Sequence, residues 1–263
     1  MKKWLIIFFA LFSPLSSVCA DRVEIPHFHQ VLSHITEETL VILDIDDTLL
    51  IHKQMLGCDE WFLRRVKFYQ DAGMSIVDSV EKSVIEYNMI HYLTEMEIVE
   101  PGIDSVVDRI QKMPCRVMGL TTRGFCVALC TGRQLRKNNI DLTKTAPSSQ
   151  DYYFQMGNEG ILYKNGVLFT AGTHKGEAFF HLCDAIDYLP KRIIFVNDKA
   201  SHLAQVEEIA KSRNIPFIGL RYAYSDSRKA TFNSEIANYQ LRHSSLEHLI
   251  TDEEAHSLLN KNQ

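Results

Sequence analysis

Three carboxylates, Asp44, Asp46 and Asp47, end a run of apolar residues in the segment LVILDIDDTLL, residues 40–50. Leu, Val and Ile without polar alternation are typical of a strand that is buried on both faces, as in a parallel sheet. An unpaired carboxylate is costly to bury inside such a strand, but it is tolerated at the carboxyl end, where open α/β sheets bind ligands. Asp44 and Asp46 share one side of an extended chain, so they need a cation or a proton between them. The alternative is an acidic turn without chemistry, because Asp-Asp-Thr also favours turns and N-caps.

Two later apolar runs also end in polar side chains. The predicted strands are Cys115–Leu120 and Arg192–Val196, and the polar pairs that follow them are Thr121-Thr122 and Asn197-Asp198. The carboxyl ends of parallel strands meet at one edge of a sheet, so we expect these groups to face the same crevice as the acids after the first strand.

Thr131 is an alternative to Thr121, because Val127–Arg133 also resembles a strand with a hydroxyl near its end. Thr121 is preferred because it follows a clear helix-to-strand crossover. Lys175 stands at the start of a predicted helix, Ala178–Tyr188. The helix dipole does not favour a lysine at that end, so its side chain is either solvated or part of a phosphate site.

Strands and helices alternate along the chain. An amphipathic helix, Ile103–Met113, separates the first two predicted strands, and strand–helix–strand units join parallel strands by right-handed crossovers. Asn165-Gly166 marks a hairpin turn within residues 161–169. We therefore expect an α/β fold, with a Rossmann-like three-layer α/β/α core around a parallel sheet. The remaining predicted elements are a helix at Ala200–Arg213, a strand at Ile215–Leu220 and a capping box at Thr251–Glu254.

Residues 52–98 interrupt this alternation directly after the acidic strand. Helical spacing of apolar residues predicts two helices there, with a break at Asp71–Gly73. An insertion at this point is placed to cover the site, so we expect residues 52–98 to form a helical cap on a core built from residues 21–51 and 99–263. Candidate substrate contacts in the cap are His52, Trp61, Arg64 and Arg65.

The first twenty residues have the pattern of a secretory signal peptide. Lys2-Lys3 form a positive start, Trp4–Phe12 an apolar run, and Val18–Ala20 a small-residue cleavage site. Cys19 raises the alternative of a lipoprotein, although Val18 fits poorly before a lipidated cysteine. We expect cleavage after Ala20, no stable insertion in a membrane, and a periplasmic or secreted protein.

Charge and cysteine content limit the partners. Removal of residues 1–20 takes two lysines from a formal charge of −5, which leaves 26 basic against 33 acidic residues and a charge of −7. Such a protein has no electrostatic attraction to nucleic acid or to an anionic membrane. Five cysteines remain without a CxxC pair, and their pattern predicts neither a zinc site nor a particular disulfide. The isolated pair His27 and His29 is more often incidental than a metal site.

Four segments, LDIDDT, GLTTR, HKGEAF and IIFVNDKASHL, resemble in their order the four motifs of the haloacid dehalogenase-like superfamily of phosphohydrolases. Those motifs are DxDx(T/V), a strand that ends in Thr or Ser, a lysine, and an acidic strand end. The Val-x-Pro-Gly before the second segment is also similar to that family. The resemblance covers about residues 38–222 and is greatest to secreted or uncharacterised bacterial members.

The resemblance implies a Mg²⁺-dependent phosphatase that hydrolyses a small phosphomonoester through an aspartyl-phosphate. Asp44 would be the nucleophile, and Asp46 the general acid and then the general base. Thr121 and Lys175 would bind the phosphoryl oxygens. Mg²⁺ would be held by Asp44, the main-chain carbonyl of Asp46, and Asp198.

Four further residues are expected to support this site rather than react: Asp47, Thr48, Thr122 and Asn197. Asn197 is a departure, because many relatives have an acid there. If Asn197 replaces a residue that is not a ligand, Asp198 remains the metal ligand and metal binding is unaffected. If it replaces a ligand carboxylate, metal binding would be weaker. The alternatives to a phosphatase are a phosphotransferase or mutase of the same fold, and a non-catalytic member that binds a phosphorylated ligand or a protein. The sequence predicts no oligomeric state.

Overall fold

The computed structural model describes residues 20–245 and 248–261, so nearly all of the expected signal peptide lies outside the described residues. In chain order its strands are β1 (Ala20–Ile25), β2 (Thr39–Leu43), β3 (Leu50–His52), β4 (Met96–Ile98), β5 (Arg116–Thr121), β6 (Tyr152–Met156), β7 (Glu159–Lys164), β8 (Val167–Phe169), β9 (Arg192–Asn197) and β10 (Phe217–Tyr222). Eight of these strands form one sheet in the order β1-β10-β9-β2-β5-β8-β7-β6, and the remaining two, β3 and β4, form an antiparallel pair.

The centre of the sheet is β2, which pairs in parallel with β9 on one side and β5 on the other. Leu40–Leu43 are fully buried, and their side chains alternate between the two faces of the sheet. Val41 and Leu43 belong to one apolar cluster, whereas Leu40 and Ile42 belong to the other. An apolar run without alternation is therefore the strand buried on both faces that the sequence predicts.

Helices cover both faces of the sheet. One apolar cluster contains the helical residues Phe179 and Leu203, and the cluster on the opposite face contains the helical residues Val107 and Leu135. The expected α/β fold, a three-layer α/β/α core around a mostly parallel sheet, is confirmed. The helices are α1 (Asp59–Asp71), α2 (Ile76–Leu93), α3 (Ile103–Gln111), α4 (Ala128–Lys137), α5 (Lys175–Ala185), α6 (Ala200–Ser212), α7 (Asp226–Ala230), α8 (Ser234–His243) and α9 (Asp252–Lys261).

The alternative strand at Val127–Arg133 is wrong, because a short 3₁₀ turn there leads into α4. The buried residues Val127, Thr131 and Leu135 recur at steps of four, which is a helical repeat.

The predicted hairpin is confirmed: β7 and β8 are antiparallel, and φ is 51° at Asn165 and 76° at Gly166, as a two-residue hairpin turn requires. A side chain at Gly166 would come within 2.3 Å of the Leu142 carbonyl oxygen.

The helical insertion starts and ends at the antiparallel pair β3–β4, and α1 and α2 are its two helices. Its apolar residues Leu56, Trp61 and Ile90 cluster with Ala237 of α8, a contact that the sequence did not predict. The predicted capping box is confirmed at the start of α9, where Thr251 and Glu254 exchange backbone-to-side-chain hydrogen bonds of 2.8 and 3.1 Å. Among the described residues, no helix combines the length and apolar character needed to cross a bilayer.

Candidate active site

The loop after β2 turns sharply and keeps its acids at the carboxyl edge of the sheet. The Asp44 N–H donates to the Val196 carbonyl at 3.0 Å, which continues the β2–β9 ladder by one residue. The N–H groups of Leu49 and Leu50 both donate to the Ile45 carbonyl, and Asp47 takes the left-handed conformation with φ of 58°. Asp is among the residues that accept this conformation most readily.

Asp44 is almost completely buried and accepts one hydrogen bond at each carboxylate oxygen. Lys175 Nζ donates to Oδ1 at 2.8 Å, and Asn197 Nδ2 donates to Oδ2 at 2.8 Å. Lys175 is the first residue of α5, and its side chain is wholly buried, with a further hydrogen bond of 3.1 Å to the Leu120 carbonyl. The solvated alternative for Lys175 is therefore wrong.

Burial raises the pKa of Asp44 to about 6, although Lys175 acts in the opposite direction. The negative charges of Asp198 and Asp46 add to the increase. Desolvation of the buried carboxylate is therefore the main reason that its pKa is raised, and the neighbouring acids contribute less.

Asp46 forms a two-pronged ion pair with Arg123, which the sequence patterns did not predict. Arg123 Nε donates to Oδ2 at 2.9 Å and Nη2 to Oδ1 at 2.7 Å, while Nη1 donates to Thr131 Oγ1 and Gln134 Oε1, both at 2.7 Å. Burial by itself would raise the pKa of Asp46, but the Arg123 guanidinium and its hydrogen bonds hold it below its usual range. The sequence signal for this residue was its position just after the Thr121-Thr122 strand end.

Thr121 ends β5 and is fully buried next to the Lys175 contact. Its Oγ1 accepts the Arg123 N–H at 3.2 Å, and the Thr122 carbonyl accepts the Gly172 N–H at 3.0 Å. Thr131, the rejected alternative, braces the Arg123 side chain from α4. Both hydroxyls thus accept a hydrogen bond from Arg123, Thr121 from its backbone N–H and Thr131 from its side chain.

Asn197 is the last residue of β9, beside β2, and Asp198 follows it. The Asp198 N–H donates to Thr48 Oγ1 at 3.2 Å, and Asp198 Oδ2 accepts from Lys229 Nζ at 2.7 Å. The Asn197 Oδ1 accepts the Lys199 N–H at 2.7 Å, so its Nδ2 is the atom that faces Asp44. Asn197 is thus a hydrogen-bond donor to Asp44 in this arrangement.

Asp47 is buried on the far side of the loop, where it lines a narrow cavity of about 60 Å³ together with His52 and Lys229. Burial, followed by the charges of Asp59 and Asp198, raises the pKa of Asp47 well above its usual range.

A larger cavity of about 500 Å³ lies at the opposite end of the sheet, around Glu38, Thr39, Arg116 and Lys191, away from the acids.

The insertion is tied to this edge of the sheet by charged and polar contacts. Lys199, just after Asp198, forms an ion pair with Asp59 in the first turn of α1. Tyr87 of α2 donates to the same Asp59 carboxylate at 3.2 Å.

Burial lowers the pKa of His52 to about 4 and that of His91 well below its usual range, so both imidazoles are neutral near pH 7.

The donor set fits a hard divalent cation. Asp44 and Asp198 are both buried carboxylates, and they are close enough for the charge of Asp198 to raise the pKa of Asp44. Carboxylate and carbonyl oxygens are the ligands that Mg²⁺ prefers. One Asp198 oxygen is held by Lys229, so a cation would use the other oxygen or share this one.

Comparison with known proteins adds a family and several relatives. A family model described as "Protein of unknown function (DUF2608)" matches residues 24–256. A protein of Chlamydia muridarum named "Putative outer membrane protein" is 26% identical over 242 residues, which cover 90% of this chain and 91% of that protein. A protein of the same name from Chlamydia pneumoniae is 27% identical over 266 residues, or 98% of each chain.

Two solved structures overlap with the chain at low TM-scores. A haloacid dehalogenase-like family hydrolase from Streptococcus pneumoniae has a TM-score of 0.43 and 12% identity, over 69% of this chain and 93% of that one. A HAD-superfamily hydrolase from Geobacter sulfurreducens has a TM-score of 0.37 and 12% identity, over 73% and 96%. TM-scores this low do not establish a shared fold, so function is inferred from the side-chain geometry.

Proposed function

Since the chain belongs to the DUF2608 family of proteins of unknown function, its activity has to be inferred from its site, and we propose that it is a phosphatase with Asp44 as nucleophile. The observation that carries the proposal is the buried Lys175–Asp44 ion pair at a strand end, with Asp198 at the end of the neighbouring strand. A carboxylate in a crevice with a buried ammonium and a second acid is equipped to receive a phosphoryl group and offset its charge.

In the first step, an Asp44 carboxylate oxygen attacks phosphorus and the bond from phosphorus to the ester oxygen breaks. Asp46 in its protonated form, which Arg123 keeps a minor fraction, gives its proton to the departing alcohol. In the second step, water attacks the aspartyl-phosphate, Asp46 takes the proton of that water, and inorganic phosphate leaves. Lys175 and Thr121 hold the phosphoryl oxygens throughout. When Mg²⁺ is bound by Asp44, Asp198 and the Asp46 carbonyl, it supplies charge neutralisation at the phosphoryl group.

The ion pair with Arg123 narrows the expected substrates. A general acid works best with a raised pKa, whereas Arg123 holds the pKa of Asp46 low. Asp46 in this arrangement is a better base than acid. We therefore expect esters whose leaving group needs little protonation, such as aryl phosphates, to react faster than alkyl phosphates.

The insertion, residues 52–98, is proposed to act as a lid on this site. Its support is the contact of Asp59 in α1 with Lys199, beside Asp198. The predicted export of the protein is likewise a proposal, and the names of its chlamydial relatives are compatible with it.

A second candidate, a member that binds a phosphorylated ligand without turnover, is favoured by one observation. Asp46 and Asp198 already have a protein cation each, Arg123 and Lys229. In that case the acids would serve as anchors for lysine and arginine side chains that bind phosphate.

One assay separates the candidates. The purified protein is incubated with an aryl phosphate in Mg²⁺ or in EDTA, and phosphate release is compared with that of Asp44→Asn. The phosphatase predicts release that EDTA abolishes and that Asp44→Asn lowers by about 1,000-fold or more. Asp71→Asn, an exposed carboxylate at the end of α1, is the matched control and should match wild type. Equal rates for wild type and Asp44→Asn would refute the proposal, and transfer to added glycerol would identify a phosphotransferase.

A further inference from the structure

Two histidines of the insertion lie next to Asp46. His52 is the last residue of β3, and His91 lies in the last turn of α2. His52 is only 4% exposed and His91 is fully buried, and their ring centroids are 4.8 Å apart. The Tyr87 ring packs at right angles to the His91 ring, with centroids 4.4 Å apart. Two imidazoles and one carboxylate thus come together from three separate parts of the chain.

The four ring nitrogens of this pair have no hydrogen-bond partner among the described residues. Buried polar atoms are almost always satisfied, so each exception requires an explanation. A neutral imidazole has a lone pair on one nitrogen and an N–H on the other. A buried pair with both lone pairs unused points to a missing ligand that accepts electron pairs.

The geometry is close to that of a metal site. One nitrogen of each histidine and one carboxylate oxygen of Asp46 lie within 4.8 Å of one another. In a tetrahedral zinc site with bonds of about 2.1 Å, ligand atoms are about 3.4 Å apart, so each side chain would move by less than about 1 Å. Imidazole nitrogen with one carboxylate suits Zn²⁺ and its neighbours in the first transition row, whereas Mg²⁺ prefers oxygen. His52 also lines the narrow cavity beside Asp47.

We propose that His52, His91 and the Asp46 carboxylate bind a transition-metal ion such as Zn²⁺, and that this ion inhibits the enzyme. This site uses the Asp46 side chain, whereas the oxygen site uses Asp44, Asp198 and the Asp46 main-chain carbonyl. Inhibition rests on the proposed function: an Asp46 carboxylate bound to metal can neither donate nor accept the proton of the reaction. Arg123 uses two of the roughly four lone-pair positions of that carboxylate and can stay in place, because carboxylates that bind metals are commonly hydrogen-bonded as well.

Direct binding tests the site without any enzyme assay. Protein freed of transition metals is titrated in excess Mg²⁺, which would occupy the oxygen site. One titrant is Co²⁺, which gives intense visible absorption in a four-coordinate site, and the other is Zn²⁺ against a coloured zinc chelator. The expected result is one equivalent bound, with affinity at least tenfold lower in His91→Gln and in His52→Gln. His29→Gln, which alters the exposed His27/His29 pair, and Asp44→Asn should bind as wild type does.

Several results would overturn the site. They are no binding of either ion by wild type, a weak octahedral Co²⁺ spectrum, or full binding by a folded His91→Gln protein. If His91→Gln does not fold, as its thermal melt will show, His52→Gln decides in its place because its side chain contributes to the same site from β3.

Inhibition is tested separately with an aryl phosphate in excess Mg²⁺. Added Zn²⁺ should suppress turnover in wild type, and at least tenfold more Zn²⁺ should be needed with His91→Gln. Equal inhibition of both would refute the link between this site and Asp46. Absence of turnover under every condition would refute the proposed phosphatase, and the Co²⁺ titration would still decide whether the metal site exists.

Discussion

The two polar regions on either side of Asp46 differ in how their buried atoms are satisfied. Towards the sheet, Asp44, Lys175 and Asn197 each make hydrogen bonds of 2.8 Å to a specific partner. Towards the insertion, His52 and His91, together with the Trp61 Nε1 and Ser83 Oγ atoms, have no partner among the described residues. The groups named on the sheet side are paired within the chain, whereas those named on the insertion side are not.

The difference follows from how each region is positioned. Parallel strands bring their carboxyl ends to one edge in fixed register, so β2, β5 and β9 place their last residues together without help from the insertion. The insertion packs through the apolar cluster around Trp61 and contacts the sheet edge through the Lys199–Asp59 ion pair. Neither contact gives a partner to the ring nitrogens of His52 and His91. Variants on each side can test this contrast between a satisfied and an unsatisfied region.

The largest effect on activity is expected for Lys175→Met, which removes the buried ammonium that donates to Asp44 at the sheet edge. Asp44 would lose its Oδ1 partner, and a phosphoryl group would lose the buried ammonium, so phosphate release should fall by at least about 1,000-fold. The measurement is kcat with an aryl phosphate. Lys191→Met, at the opposite end of the sheet and paired with exposed Glu38, is the control and should leave kcat within twofold of wild type. A tenfold loss or less in Lys175→Met would show that Lys175 is structural.

Arg123→Gln should give the largest loss of stability. It leaves the Asp46 carboxylate without its guanidinium, and breaking one partner out of a buried ion pair costs about 3–5 kcal/mol. Because Asp46 keeps some contact with solvent, the lower end of that range is expected. Arg123→Gln combined with Asp46→Asn removes both charges and should recover part of the loss. Urea unfolding measures the free energy of unfolding, and a double variant that is no more stable than the single one would contradict the pairing.

Much of the satisfied side could be predicted from the sequence, because its residues stand at strand ends or at a helix start. Asp44, Thr121, Lys175 and Asp198 all lie at the predicted edge of the sheet. Arg123 could not be predicted, because an arginine that follows a strand end has no sequence mark that distinguishes a buried ion pair from a solvated side chain. The Lys229 contact with Asp198 comes from a segment far along the chain, which no local pattern connects to the site.

The unsatisfied side was harder to foresee. Helical spacing placed His91 among core-facing positions and gave His52 only as a candidate substrate contact, and no pattern shows that their nitrogens lack partners. Four strands were also missed: β1, β6 and the antiparallel pair β3–β4 at which the insertion starts and ends. β1 begins at Ala20, directly after the apolar start of the chain, and pairs with β10, whereas the residues of β6 alternate between exposed and partly exposed and gave no clear apolar face.

The pH dependence tests the raised pKa of the buried Asp44 carboxyl. Its pKa is raised to about 6 and its ionised form is the nucleophile, so the reactive fraction falls as pH drops below that value. The value of kcat/KM should therefore decline towards tenfold per pH unit on the acid side. A cation at Asp44 and Asp198 favours the ionised form, so a higher Mg²⁺ concentration should move this limb to lower pH. A limb near the ordinary aspartate value that does not respond to Mg²⁺ would contradict the assignment.

The smallest effects come from a matched pair of buried hydroxyls, one on each side. Thr131 Oγ1 accepts from Arg123 at 2.7 Å and donates to the Val127 carbonyl at 2.9 Å, whereas Ser83 Oγ has no partner among the described residues. Thr131→Val leaves an Arg123 N–H with one acceptor fewer and should cost about 1–3 kcal/mol in the free energy of unfolding. Ser83→Ala removes no hydrogen bond and should change it by less than about 0.5 kcal/mol. Both are measured by urea unfolding of the metal-free protein, and a Ser83→Ala loss equal to that of Thr131→Val would mean that the insertion side is satisfied after all, by a group that Ser83 contacts in solution.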